Sequence, residues 1–180
     1  MQGATVMPLT DTLGRWHEFY SLAGTASATL VGLLFVAASV ASGVFRSDRP
    51  APLRVFMSAS IVNFSSVLAA CLVLLSPIES WQLLGMSIVA CGMFGLTHSG
   101  LALRDSMRSR LLAKIDLEDR TWYLAMPITG YLLEAASGVS LALRLHQGCT
   151  VLALAIGLLL MVGIHNSWDI TVWSVTRRSG

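Results

Sequence analysis

Five long apolar runs constrain this chain more than any other feature of its sequence. A helix needs about 20 apolar residues to cross the hydrocarbon core of a bilayer. The runs that reach this length lie at about 19–45, 55–76, 83–103, 122–143 and 150–175. The sequence therefore predicts an all-α fold, in which a polytopic bundle of five transmembrane helices forms a single domain over residues 1–180.

The charge content of the chain argues against an ordinary soluble domain. Only 12% of its 180 residues are charged, 54% are hydrophobic, and the mean hydropathy is +0.69. Soluble domains carry about 25% charged residues, which clothe the core in water. The net charge of +2 is small and its basic residues lie in short loops, so nucleic acid is not expected as a partner.

The N-terminal segment and the cysteines carry no special motif. Positions 1–18 hold one basic residue, Arg15, and no apolar core, so we expect no cleavable signal peptide. Cys71, Cys91 and Cys149 lie in or beside apolar runs without a CxxC spacing. We interpret these cysteines as small packing residues.

The basic residues are divided unequally between the two sides of the predicted bundle. Ten of the 12 lysines and arginines fall in the first and third loops and the C-terminal tail, and only Arg15 and Arg144 lie on the other side. Short loops rich in Lys and Arg stay in the cytoplasm. We therefore expect the N-terminus outside and the C-terminus in the cytoplasm. Trp16, Trp81 and Trp122 at the ends of the runs fit an interfacial aromatic belt.

The third loop, residues 104–120, is the only sizeable one. Apolar residues recur in it at helical spacing between charged ones: Met107, Leu111, Leu112 and Ile115. This pattern predicts a cytoplasmic amphipathic helix that continues the third span and lies on the membrane or on a partner. A solvated helical hairpin is the alternative.

Small residues recur at helical spacing on three of the predicted spans. They are Gly24, Ala28 and Gly32 on the first, Gly92, Gly95 and Ser99 on the third, and Gly130 and Gly138 on the fourth. Small side chains allow helix backbones to approach closely in a membrane. These faces predict helix packing, either inside one bundle or between the subunits of a homo-oligomer or larger membrane complex.

Six polar residues fall inside the predicted spans: Asn63, His98, Glu134, His165, Asn166 and Asp169. An ionisable side chain at this depth is costly unless it is paired, neutral or facing water. With a rise of about 1.5 Å per residue, Glu134 lies near the middle of its span, and His98 and His165 lie at matching depth on the cytoplasmic side. Asp169 follows His165 by one turn and can fix the imidazole tautomer.

Three interpretations of these polar residues stay open. They form hydrogen bonds between helices, His98 to His165 or Glu134 to Asn63, in which case they set the helix register. Alternatively, they line a hydrated path for an ion, a proton or a small solute. In the third interpretation, His98 and His165 bind haem iron or another metal. The sequence contains no CxxCH, HExxH or GxSxG motif, and no metal or catalytic residue is predicted.

Both ends of the chain carry a recognisable combination of residues. These are Trp16, His17, Phe19, Tyr20 and Gly24, the stretch GLLFVAAS at 32–39, and Asn166 and Trp168 in the last run. This combination resembles a family of small bacterial integral membrane proteins without an established activity. The resemblance implies a multi-pass protein of the bacterial inner membrane, and it implies no cofactor, ligand or site residue.

The sequence therefore leaves three hypotheses for function. The leading one is a non-enzymatic membrane protein that self-assembles or serves as an accessory subunit of a larger complex. The alternative is a channel or transporter for an ion, a proton or a small solute that uses the intramembrane Glu134. The last is a membrane electron carrier that binds haem through His98 and His165.

Overall fold

The computed structural model describes residues 8–44, 51–108, 121–145 and 147–176, and these are helical apart from Pro8 and the short connections at 76–80 and 143–145. The helices are Leu9–Val44 (α1), Ala51–Leu75 (α2), Trp81–Arg108 (α3), Met126–Ala142 (α4) and Gln147–Thr176 (α5). A π-helical turn, Thr121–Ala125, leads directly into α4. Within these ranges there is no strand, and the five helices fit the predicted number.

Length and composition make most of these helices suitable for crossing a membrane. Four segments qualify: Leu9–Ser39, Trp81–Arg104, Thr121–Ala142 and Gln147–Asp169. The apolar segment Ala59–Leu75 of α2 is shorter. Large apolar side chains are widely exposed, with Leu22 at 71% and Met86 at 67%. These features indicate a multi-pass membrane protein.

Some helices extend beyond the predicted apolar spans, because polar residues at their ends are also helical. α1 begins at Leu9, well before the apolar run, and its first turns bury Leu9 and Thr12. α2 ends at Leu75, just ahead of Pro77, where a stop was expected. α3 continues past position 103 to Arg108. The rest of the predicted amphipathic segment 104–120 lies outside the described residues.

Pro127 explains why the fourth predicted span is irregular. It occupies the first turn of α4, directly after the π-helical turn. The backbone is already helical before it, with Ala125 at φ −67° and ψ −47°, so Pro127 lies inside one continuous helix. A proline there lacks the N–H for a helical hydrogen bond and its ring crowds the preceding turn, and the π-helical turn lies where this disruption is expected.

Four helices form a ring, and α1 packs outside it. α2 contacts α3 and α5, and α4 contacts the same two helices, whereas α1 packs mainly against α2. α2 and α4 therefore stand diagonally across the ring and run in the same direction. We call the end where α2 and α4 begin the basic end, because the adjoining segments 45–50, 109–120 and 177–180 carry most of the arginines.

Glycines bring α3 and α4 into the closest approach in the bundle. A Cβ atom added at Gly92 would lie 2.8 Å from the backbone nitrogen of Ala135. One added at Gly138 would lie 2.7 Å from the carbonyl oxygen of Gly85. No larger side chain fits such a contact without moving a backbone. The small residues of the third and fourth spans therefore pack within the chain.

Candidate functional site

Two pairs of polar side chains cross the ring from α2 to α4. The Tyr131 hydroxyl donates to Asn63 Oδ1 at 2.8 Å, and the Ser66 hydroxyl donates to Glu134 Oε2 at 3.3 Å. The partners are 68 residues apart in both pairs, so the two parallel helices keep one register across the two contacts. We call Asn63, Ser66, Tyr131 and Glu134 the polar cluster.

The polar cluster is enclosed by the bundle but not saturated with hydrogen bonds. Glu134 is 1% exposed and Asn63 is 2% exposed. Glu134 Oε1 and Asn63 Nδ2 have no hydrogen-bond partner among the described residues. Leaving a buried polar atom unpaired costs about 1–3 kcal/mol. The cluster therefore holds more hydrogen-bonding capacity than a purely structural contact between two helices needs.

Buried polar groups continue from the cluster toward the basic end. One turn before Asn63 on α2, the Ser60 hydroxyl donates to the Gly163 carbonyl oxygen of α5 at 3.5 Å. Asn166 follows Gly163 on α5 and is fully buried, and neither Oδ1 nor Nδ2 of its side chain has a partner among the described residues. α2, α4 and α5 thus each contribute polar side chains to the same half of the interior.

A half-exposed group of side chains lies at the basic end of this series. Asp169 Oδ2 accepts a hydrogen bond from the Tyr123 hydroxyl at 3.0 Å and lies 3.3 Å from His165 Nε2. The His165 ring stacks on Trp122 with ring centroids 4.1 Å apart. The side chains of His165 and Asp169 are 32% and 36% exposed. The one-turn pairing of His165 with Asp169 that the sequence predicts is present.

The interior beyond Glu134, toward the other end, is apolar. Its fully buried side chains include Cys71, Leu84, Ile88, Leu141, Cys149 and Leu152. The buried hydroxyls in this half donate to backbone carbonyl oxygens, Tyr20 to Cys149 at 2.8 Å and Ser137 to Glu134 at 2.6 Å. Glu134 therefore separates a half of the interior that contains the unpartnered polar atoms, among buried apolar side chains such as Phe64 and Leu159, from a half whose buried hydroxyls in the described residues are hydrogen-bonded.

The cysteines of the described chain occupy packing positions. Cys71 and Cys149 are buried, Cys91 is half-buried, and all three are free thiols. Their surroundings agree with the interpretation as small apolar side chains.

His98 does not join His165. His98 is half-buried on α3, and α3 packs on α4 and α2 rather than beside α5. No hydrogen bond or ion pair links the two histidines, although both lie in described helices, and His165 is engaged with Asp169 and Trp122. The described residues also contain no group of three His, Cys, Asp or Glu side chains that could hold a metal ion. The geometry thus gives no support to a haem or metal bound between them.

The predicted packing residues divide into two groups. Gly24, Gly130 and Gly138 face other helices of the same chain; a Cβ at Gly24 would lie 3.0 Å from a side-chain atom of α2, and one at Gly130 would lie 2.7 Å from a side-chain atom of α5. Ala28 and Gly32 are exposed, and nothing lies within 4 Å of a Cβ at Gly32. Of these predicted packing residues, only Ala28 and Gly32 are available for contact with another subunit.

Sequence reasoning paired Glu134 with Asn63 and missed their actual partners. Ser66 follows Asn63 by three residues and Tyr131 precedes Glu134 by three, so each partner shares a helix face with a residue that was identified. That spacing, repeated on two helices that run in parallel, is the signal that would have found the polar cluster.

No protein-family model, curated protein or solved structure matches this chain.

Proposed function

We propose that this membrane protein conducts an ion, a proton or a small polar solute, with Glu134 as its central binding group. The observation that supports the proposal is the state of the Glu134 carboxyl group, which is 1% exposed and keeps Oε1 without a partner among the described residues. A carboxyl group that served only to join helices would be expected to have both oxygens hydrogen-bonded. Intramembrane ionisable groups commonly mark ion and substrate pathways.

The asymmetry of the interior indicates what kind of conduction to expect. Polar side chains extend from Glu134 to the half-exposed His165 and Asp169 at the basic end. On the other side of Glu134 the core is filled by apolar residues such as Ile88, Leu141 and Leu152. An apolar constriction blocks ions and water until it opens. This arrangement favours a gated path or a transporter over a permanently open channel.

Flux measurements on purified protein in liposomes test the proposal. We expect movement of H⁺, Na⁺, K⁺ or a small polar solute above that of protein-free liposomes, and we expect Glu134→Gln to reduce it to that background. Glu79→Gln is the matched control, because Glu79 is exposed in the loop between α2 and α3 and should not affect flux. Equal flux in wild type and Glu134→Gln, or no flux of any tested species, would contradict the proposal.

A second proposal is assembly into a homo-oligomer or a larger membrane complex through the basic-end half of α1. No side chain between positions 28 and 39 is buried, although α1 continues as a helix throughout. Gly32 lies in this half and has open space around it. The other glycines predicted to pack are already used within the chain, so Gly32 is the one among them that is open to a second subunit.

Comparison of two glycines on α1 tests the assembly proposal. We expect Gly32→Leu to shift the protein toward monomers in native mass spectrometry in mild detergent, with little change in thermal stability. Gly24→Leu should instead lower thermal stability, because Gly24 packs against Cys71 of the same chain. A wild-type protein that is already monomeric in mild detergent and in native lipid discs would rule this proposal out.

We also propose that the N-terminus lies outside and the C-terminus in the cytoplasm of a bacterial inner membrane. Support for the sidedness comes from the ten basic residues among 12 that fall at the basic end. Support for the type of membrane comes from the resemblance at the two ends of the chain. The basic end, with His165 and Asp169, would then face the cytoplasm.

A further inference from the structure

We propose that the species moving through the bundle is the proton, carried by water molecules held between Glu134 and Asn166. This inference rests on the proposed conduction function and names its substrate. Its support is that the unpartnered buried atoms include both hydrogen-bond donors and acceptors.

The unpartnered buried atoms are of both kinds. Glu134 Oε1 and Asn166 Oδ1 are hydrogen-bond acceptors, whereas Asn63 Nδ2 and Asn166 Nδ2 are donors. All of these side chains are at most 2% exposed. The hydrogen bond from Ser60 to Gly163 aligns α2 with α5 and places Asn166 about 9 Å along the bundle from Asn63, toward the basic end. An occupant of this stretch must therefore donate hydrogen bonds at some of these atoms and accept them at others. Water does both, and a buried water molecule makes about three hydrogen bonds to such groups.

A metal cation fits these atoms poorly. Cations such as Na⁺ and K⁺ need several oxygen ligands and no N–H donors directed at them. In the polar cluster, Asn63 Oδ1 already accepts from the Tyr131 hydroxyl, which leaves the amide nitrogen of Asn63 unbonded. The nitrogen of Asn166 is also unbonded. Both amides would direct hydrogen atoms toward a cation that they could not coordinate through nitrogen.

Glu134 is placed to exchange a proton with such water. Its Oε2 is held by Ser66, which leaves Oε1 as the oxygen that can bind or release a proton. The titratable side chains near Glu134 in the described chain are Cys71, Cys91 and Tyr131. None of these can carry a positive charge. No cationic side chain among them pairs with the carboxylate and removes it from proton exchange.

The proton balance of the path is simple. Protonated Glu134 releases one proton from Oε1 to a neighbouring water, each water passes one proton to the next, and the last water delivers one to His165 or to the Asp169 carboxylate. The Glu134 carboxylate left behind regains one proton from water on the opposite side when the apolar half opens, which completes the cycle. Only O–H and N–H bonds form and break. Asn63 and Asn166 do not titrate, so they act as positioning residues that orient water. The half-exposed His165–Asp169 pair exchanges its proton with solvent at the basic end.

Liposomes with an internal pH dye, driven by a K⁺ diffusion potential, test the inference. We expect a change of internal pH that is the same in Na⁺ and choline media, that disappears in Glu134→Gln and that persists in Glu79→Gln. Asn166→Leu should slow proton flux about tenfold while its thermal midpoint stays close to that of wild type, because leucine is similar in size to asparagine and leaves no buried polar atom to be satisfied. Asn166→Ser, which can still bind water, should recover part of the flux.

Each other outcome has a defined meaning. Glu134-dependent movement of Na⁺, K⁺ or urea without any pH change would overturn the proton inference and leave the proposed conduction function standing. No Glu134-dependent movement of any species would overturn both. If Glu134→Gln does not fold, Asn166→Leu decides the matter. A fall in stability with unchanged flux in that variant would show that Asn166 has only a structural role.

Discussion

Tyr131 contributes two contacts at the scale of single residues. Its ring lies over Gly95 of α3. A Cβ atom at this position would overlap the ring carbons, so only glycine fits there. Its hydroxyl reaches across the ring of helices and donates to Asn63 Oδ1. This bond fixes the orientation of the Asn63 amide and leaves its nitrogen as the atom without a partner among the described residues.

Tyr131→Phe is predicted to lower the free energy of unfolding by about 1 kcal/mol, because it leaves a buried amide oxygen without a donor. Chemical unfolding in detergent measures the change. Tyr123→Phe is the matched control: its acceptor, Asp169, is 36% exposed, so water can replace the lost hydroxyl and the expected loss is smaller. Equal losses in the two variants would show that burial of the acceptor does not matter here.

At the scale of elements, the seam between α3 and α4 is the most demanding contact of the fold. Gly85, Gly92 and Gly138 meet the backbone of the opposite helix, so the two helices approach until main chain lies against main chain. Close approach of this kind provides the van der Waals contact that associates helices in lipid. The seam also holds α4 in place, and with it the rotation of Glu134 toward the interior.

Two alanine substitutions on α3 are predicted to have opposite effects. Gly92→Ala should reduce stability by about 1–3 kcal/mol, because the added methyl group overlaps the backbone of Ala135 and neither helix can move freely. Gly100→Ala should leave stability unchanged or raise it by up to about 1 kcal/mol, since nothing lies within 4 Å of its Cβ and alanine favours helix. Thermal unfolding of both proteins in the same detergent checks this, and a loss at Gly100 that matches the one at Gly92 would contradict it.

At the scale of the whole molecule, the interior is divided along its long axis. The unpartnered buried polar atoms belong to Asn63, Glu134 and Asn166, at Glu134 or on its basic side, whereas buried hydroxyls on the other side, such as that of Ser137, are hydrogen-bonded. The sidedness of the protein in its membrane therefore decides to which compartment the proposed path from Glu134 would lead.

Labelling with a membrane-impermeant maleimide in intact cells is predicted to establish that sidedness. Glu79→Cys, in the loop between α2 and α3, should react in intact cells, whereas Arg104→Cys, near the end of α3, should react only after the cells are made permeable. Both positions are exposed, whereas the native thiols are buried or half-buried, so wild type provides the background. The reverse pattern would place the basic end outside and refute the proposed orientation.

The number and order of the helices could be predicted from the sequence because lipid requires long apolar runs to be helical. Contacts between residues one turn apart on the same helix could also be predicted, since they follow from the helical repeat, and this spacing correctly brings His165 and Asp169 together. Partners on other helices could not be predicted in this way. They depend on which helices are neighbours and how each is rotated, so His98 and His165 share a depth without meeting. For the same reason Glu134 bonds to Ser66 rather than to Asn63.

The position of α5 in the ring has a consequence for biogenesis. α5 is synthesised after the other described helices, yet it packs against both α2 and α4 and completes the enclosure of their polar side chains. Until α5 has entered the membrane, Asn63 and Glu134 face an unfinished interior. Burial of these polar groups is therefore coupled to the insertion of α5.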